Sequence, residues 1–235
     1  MAGLTPGAKR RFFSLCPGRL PYGAALTLQE ELVQRRRRGE DDVLILLEHP
    51  PVVTLGRSGR EGGLRLAAAD YARSGIELVH SGRGGDVTYH GPGQLIGYPI
   101  LDLSVLGRDL HRYLRLLEAV LIETLAAFGV TGERIAGRTG VWVGGAKIAS
   151  IGIAVRHWIS YHGFALNVAD DREGFATIVP CGLPGVALTS LEGEVGRTVS
   201  RAAVTEVLID AFSLHFASEH AGLYDPTHPE KTVLA

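Results

Sequence analysis

Arg83-Gly84-Gly85-Asp86-Val87-Thr88-Tyr89-His90-Gly91-Pro92-Gly93-Gln94 is the most informative stretch of this 235-residue chain. It holds four glycines and a proline, and it runs directly into the apolar, strand-like Leu95-Ile96-Gly97-Tyr98-Pro99-Ile100. Glycine loses more backbone freedom on folding than any other residue, so such a window implies backbone that passes very close to something or turns with positive φ. Two arrangements meet that need. One is a tight β-turn with a decorated tip; the other is a wall of a ligand tunnel, with backbone amides and His90 turned inward.

Upstream of this segment, Ile76–Val79 reads as a strand that feeds it, and Ala67–Ser74 as a short helix. Val43–Leu47 is a short buried strand stopped by Pro50-Pro51. Tyr22–Arg38 reads as a helix closed by Gly39, in the position a helix C-terminus prefers. Downstream, Leu110, Tyr113, Leu114, Leu117, Leu121, Leu125 and Phe128 recur at helical spacing, which predicts a helix over Asp109–Phe128 ended by Gly129. Val141–Val143 and Lys147–Val155 read as strands joined by the Gly144-Gly145 turn, and Trp158–Val168 as a further strand. A last helix spans Arg201–Ala217, with Ser200 as its N-cap. Helices and strands mix without βαβ alternation, so the expected fold class is α+β around a largely antiparallel sheet flanked by helices. One domain over residues 1–235 is expected, with loose ends at 1–10 and 225–235.

The composition is that of a soluble globular chain, with 46% hydrophobic and 21% charged residues. No apolar run approaches the length that crosses a bilayer, and no continuous apolar segment near the N-terminus suggests a secretory signal. A net charge of −1 argues against general nucleic-acid binding. Arg35–Arg38 is a local exception that fits either a solvated helix end or the docking of an acidic protein. Nine histidines contain no His-Glu-x-x-His, and the cysteines have no zinc spacing, so no metal site is expected.

Two residues stand out chemically. Cys181 lies in Val179-Pro180-Cys181-Gly182-Leu183-Pro184, a restricted turn able to present a side chain to a cavity; a small buried hydrophobe is the alternative. The other cysteine, Cys16, precedes Pro17 and reads as structural. Lys9, Lys147 and Lys231 are the only lysines, and Lys147 alone falls within the body of the domain. Arginine keeps its proton in a protein, whereas a desolvated lysine can give it up, so Lys147 is the internal candidate for a titrating amine. A free thiol of pKa about 8.5 is only ~3% thiolate at pH 7. A neighbouring amine that pairs with the thiolate or takes its proton would activate it.

The glycine-rich segment, together with Gly145-Ala146-Lys147-Ile148-Ala149-Ser150-Ile151-Gly152, the Pro-Cys-Gly turn and His162-Gly163-Phe164-Ala165-Leu166-Asn167, resembles the lipoyl(octanoyl) transferases, the LipB family. The likeness runs from about Val43 to Leu191. It implies a biotin/lipoate protein ligase-like fold and a cytoplasmic acyltransferase without a cofactor. It also implies a Cys181/Lys147 catalytic dyad. The acyl-binding residues it implies are Arg83, Gly84, Gly85, Asp86, Val87, Thr88, Tyr89 and His90, with Ser150, Ile151, Gly152, Gly163, Phe164 and Ala165. The implied donor is octanoyl-acyl carrier protein. The implied acceptors are lipoyl domains of 2-oxoacid dehydrogenases and the glycine cleavage H protein. Two rivals remain at this point: an ATP-dependent lipoate or biotin ligase on the same fold, and a non-catalytic acyl-carrier-binding module. His49, in Glu48-His49-Pro50-Pro51, also resembles a family segment, without a derivable role.

Overall fold

The computed structural model describes residues 10–59, 61–179 and 185–225, so Lys9, Cys181 and Lys231 lie outside the described residues. The strands in chain order are β1 (Arg10–Arg19), β2 (Asp42–Glu48), β3 (Val52–Leu55), β4 (Glu77–His80), β5 (Val87–His90), β6 (Gln94–Ile100), β7 (Glu133–Ile135), β8 (Arg138–Val143), β9 (Ala146–Arg156), β10 (Ile159–Asn167) and β11 (Ser218–Leu223). The helices are α1 (Tyr22–Arg37), α2 (Ala68–Arg73), α3 (Leu110–Ala126), α4 (Arg172–Phe175), α5 (Leu191–Val195) and α6 (Arg201–Phe216).

An eight-stranded sheet runs in the order β11-β1-β2-β6-β10-β9-β8-β7, and a three-stranded sheet in the order β4-β3-β5. The β11–β1 and β1–β2 pairs are parallel, and the rest of the large sheet is antiparallel. Helices α3 and α6 cover one face, packing Leu117, Leu121, Leu208 and Phe212 onto Leu44, Leu46, Leu95 and Leu166. Helix α1 covers the other, where Ala25, Leu32 and Val33 meet Val43, Ile45, Tyr98 and Ile100. This accounts for the unbroken apolar run in β2: a strand covered on both faces has no solvent side to alternate toward. The α+β class and the flanking helices agree with the sequence reading.

Helix α3 starts where the sequence places it, because the Asp109 side chain accepts from the Arg112 N–H at 2.9 Å. Gly39 follows α1 with φ 99 and donates to Arg36 O at 3.0 Å. Ser200 precedes α6 as expected, but its side chain makes no capping hydrogen bond. Arg10, counted with the loose N-terminal end, instead opens β1, pairing with Ser218 and bonding to Asp42. The arginine run at the end of α1 is tied into the chain: Arg35 bonds Glu31 and Tyr224, and Arg36 bonds Asp42 at 2.6 Å. Among the described residues no helix is long and apolar enough to cross a membrane.

Candidate active site

The antiparallel pairing of β9 with β10 sets Ser150 opposite Ala165 and Gly152 opposite Gly163. Successive side chains of a strand point to opposite faces, so these four share one face and leave a shallow, small-residue floor. The three-stranded sheet supplies the wall above it. Gly84 donates to Ile153 O at 2.8 Å, clamping the glycine-rich loop across the floor, and a Cβ on Gly152 would lie 2.8 Å from Gly84 O. Glycine at 152 is thus required by close backbone approach. Arg83 is buried and holds the loop in shape. Its guanidinium donates to Thr54 Oγ1 at 3.0 Å, Thr54 O and Asp86 O at 2.7 Å each, and Gly84 O at 3.1 Å.

The result is a cleft of about 530 Å³ counted out to its open mouth. Of the acyl-site residues expected from sequence, Arg83, Gly84, Gly85, Asp86, Val87, Thr88, His90, Ser150, Ile151, Gly152, Gly163, Phe164 and Ala165 all border it, together with Lys147. Tyr89 does not. In β5 the side chains of Thr88 and His90 turn to the cavity, so Tyr89 turns the other way, packs edge-on against Phe175 and donates to Asp171 Oδ2 at 2.8 Å. The glycine segment forms one wall of the cavity, while its Tyr89 belongs to the small sheet's own core.

Lys147 is buried in β9. Its Nζ lies 5.3 Å from the centre of the Trp142 ring, within cation–π range. Gly140, at φ 125 in β8, makes room for it, since a Cβ there would stand 2.9 Å from Lys147 Cε. Gly140 has a sequence signal, a glycine inside a strand where another group approaches closely. The Lys147 main chain donates to Ala187 O at 2.8 Å and accepts from Thr189 N at 3.1 Å. The chain shortly after Cys181 therefore lies alongside Lys147. Cys181 itself lies outside the described residues, and Cys16 is exposed in β1, away from the cavity.

Sequence reasoning missed three lining residues: Tyr22, Tyr98 and His162. Tyr98 was legible only as part of a strand, and Tyr22 only as a helix start. His49 now has a place beside them. Its Nδ1–H donates to Leu20 O at 2.6 Å, so its Nε2 accepts from the Tyr98 hydroxyl at 2.7 Å. His90 Nδ1–H donates to Gln94 Oε1 at 3.0 Å. Burial lowers the pKa of all three histidines here. His90 is held at about 3, with His49 and Arg83 adding repulsion; His162 is held at about 4, with Arg83 and Arg57 adding to it. His49 is lowered by burial as well. At neutral pH the imidazoles are uncharged, which suits a slender neutral ligand. Among the described residues no cluster of His, Cys, Asp and Glu could hold a metal ion.

The fold is that of the lipoate protein ligases, with a cavity between its two sheets, and comparison with known proteins gives the family. The profile of the lipoyl protein ligase A/B catalytic domain matches residues 21–213. The chain is 51% identical over 183 residues to an octanoyltransferase of Geobacter metallireducens, covering 77% of this chain and 83% of that protein. It is 51% identical over 199 residues to an octanoyltransferase of Rubrobacter xylanophilus, covering 83% and 89%. A bi-partite lipoate protein ligase from Thermoplasma acidophilum shares the fold, with a TM-score of 0.69 at 17% identity, over 95% of this chain and 89% of that one. The chain belongs to the lipoyl protein ligase A/B family, on the octanoyltransferase side of it. It is an acyltransferase that moves octanoyl groups for protein lipoylation.

Proposed function

We propose that octanoyl-acyl carrier protein is the donor, Cys181 the acyl-carrying nucleophile, and the ε-amine of a lipoyl-domain lysine the acceptor. The observation that carries the site assignment is the cavity itself: separate parts of the chain meet around a small-residue floor, with Lys147 bordering it. In the first step the Cys181 thiolate attacks the octanoyl thioester. A new carbon–sulfur bond forms, the bond to the carrier sulfur breaks, and the carrier leaves as a thiolate that takes the proton Lys147 had drawn from Cys181. In the second step the acceptor amine attacks, a carbon–nitrogen bond forms, Cys181 leaves as a thiolate, and the amine loses a proton to Lys147. The thioester is already activated, so no ATP or cofactor enters. Developing negative charge on the carbonyl oxygen needs donors, which backbone amides of the glycine-rich loops supply. The acceptors in this reading are lipoyl domains of 2-oxoacid dehydrogenases and the glycine cleavage H protein, and the reaction takes place in the cytoplasm.

Intact mass spectrometry tests the covalent step. Mixing the protein with octanoyl-carrier should add one octanoyl group. Cys181→Ala should lose both the adduct and transfer, and Cys16→Ala should keep both. Full transfer by Cys181→Ala would eliminate the thioester intermediate. Pyrophosphate exchange driven by ATP and free octanoate would point instead to the adenylating ligases on this fold.

A further inference from the structure

His162 departs from the strand that carries it. It sits within β10 at φ 54, left-handed backbone that costs a side-chain-bearing residue energy, and strain of that kind gathers at functional sites. In the register that pairs Phe164 with Gly97, His162 comes opposite Pro99, which has no N–H to give the ladder. Ser160 Oγ donates to the Pro99 carbonyl at 2.8 Å, and the His162 N–H turns away to Gln29 Oε1 at 2.7 Å. The turn brings the His162 ring beside Tyr161, with centroids 4.9 Å apart, and makes His162 part of the cavity wall.

The ring is only 2% exposed, and neither of its nitrogens has a hydrogen-bond partner among the described residues. Its polar neighbours are satisfied: Tyr98 donates to His49, the Tyr22 hydroxyl meets Ser81 Oγ at 2.7 Å, and His90 donates to Gln94. A buried polar group left unpaired is costly, and its retention in native packing calls for an explanation. Position supplies one. Ile153, the β9 partner of His162, stands roughly 16 Å along the strand from Lys147 at about 3.3 Å per paired position, one residue between them being bulged out. The small-residue floor of Ser150 and Gly152 lies between them. His162 therefore marks the end of the cavity remote from the amine.

We infer that His162 is a specificity-determining residue that closes the inner end of the acyl cavity and sets the longest chain the enzyme accepts. This rests on the acyl-transfer reading above. A chain that stops on the floor meets small and apolar groups, whereas a longer one has to push methylenes against a rigid imidazole. The unpaired nitrogens gain nothing from that contact, and each methylene kept from burial forfeits roughly fourfold in binding.

The test compares carrier-bound octanoyl, decanoyl and dodecanoyl donors in kcat/KM for transfer to a lipoyl domain. His162→Gly removes the ring and relieves the left-handed strain, so it is the variant best placed to fold. It should raise the dodecanoyl-to-octanoyl ratio by tenfold or more over wild type. His162→Asn, which tolerates the same backbone and stays polar, should raise it by less than His162→Gly does. Octanoyl transfer with an unchanged ratio in folded His162→Gly would overturn the inference and leave the function standing. Wild-type protein that transfers none of the chains would remove both.

Discussion

The cavity has two walls, and they are held in different ways. The floor, on β9 and β10, is defined by what is missing: Ser150, Gly152, Gly163 and Ala165 leave space because their side chains are small, and the eight-stranded sheet beneath fixes their register. The roof, the loop from Arg83 to Asp86, belongs to a sheet of three strands and is shaped by one buried guanidinium donating to carbonyls of Thr54, Gly84 and Asp86. A floor made by omission is sensitive to added volume. A roof made by one side chain is sensitive to its removal. Lys147 sits with the floor, so variants that probe the proposed chemistry and variants that probe shape are separable by wall.

Lys147→Arg should have the largest effect, and it addresses chemistry on the floor strand. Arginine keeps the charge that would stabilise the Cys181 thiolate but cannot accept a proton near neutral pH. Acyl-enzyme formation should survive better than transfer to the acceptor amine, which should fall by roughly 100- to 10,000-fold, the usual span of general-base contributions. Single-turnover measurement of each half-reaction checks this. Wild-type rates in both would show that Lys147 is not the base.

The roof is next. Arg83→Lys retains a charge but replaces a planar fork with a point donor that cannot reach the same set of oxygens. Carbonyls of the loop would then lose their partners inside the protein, at about 1–3 kcal/mol each. Urea unfolding should show a loss of at least about 2 kcal/mol, with octanoyl transfer falling alongside. An unchanged midpoint would mean that strand pairing of β3 with β5 holds the roof and the guanidinium does not.

How much of this was legible in the sequence also divides along local and distant causes. Helix α3 could be read because its apolar period and the Asp109 cap are local. The floor could be read because the Gly-x-Lys-Ile-Ala-x-Ile-Gly and Gly-Phe-Ala segments are contiguous motifs. Strands β1, β7 and β11 escaped the reading. β1 contains Pro17 and Gly18 and shifts register between Leu15 and Gly18, so its only strong signal is pairing with β2 and β11, far away in sequence. Strand β3 hid behind Pro50-Pro51, which looked like the end of structure and is instead the bend between two sheets. The places of Tyr89 and His162 were hidden for a shared reason. A motif gives the order of residues, but strand alternation turned Tyr89 away from the cavity, and a left-handed backbone breaks the alternation at His162, which lines it.

Added volume tests the floor without disturbing the roof. Ala165→Val places two methyl groups on the face shared with Ser150 and Gly152, in a strand that favours a β-branched residue. It should lower octanoyl transfer about tenfold, while a short acetyl donor loses less, since occluded depth matters only to a chain that uses it. Comparable losses for both donors would indicate a distorted sheet in place of a filled cavity.

The smallest effect concerns the inner end, where floor and roof meet around neutral histidines. His162 has a pKa of about 4 in the folded protein, lowered first by burial and then by Arg83 and Arg57, against about 6.5 when unfolded. Below pH 6.5 the unfolded chain takes up a proton that the folded one refuses, so stability falls as pH drops from 6.5 toward 4 and is fully present above that window. His90, at about 3, acts in the same direction over a window that extends lower. His162→Asn removes one of these titrations while tolerating the left-handed backbone. Relative to its own value at pH 7.5, it should lose about 1–2 kcal/mol less than wild type on going to pH 5. Urea midpoints at the two pH values measure this. Equal losses in the two proteins would mean that the imidazole gains a proton in the folded state as readily as in the unfolded chain, and that the inner end of the cavity is open to water.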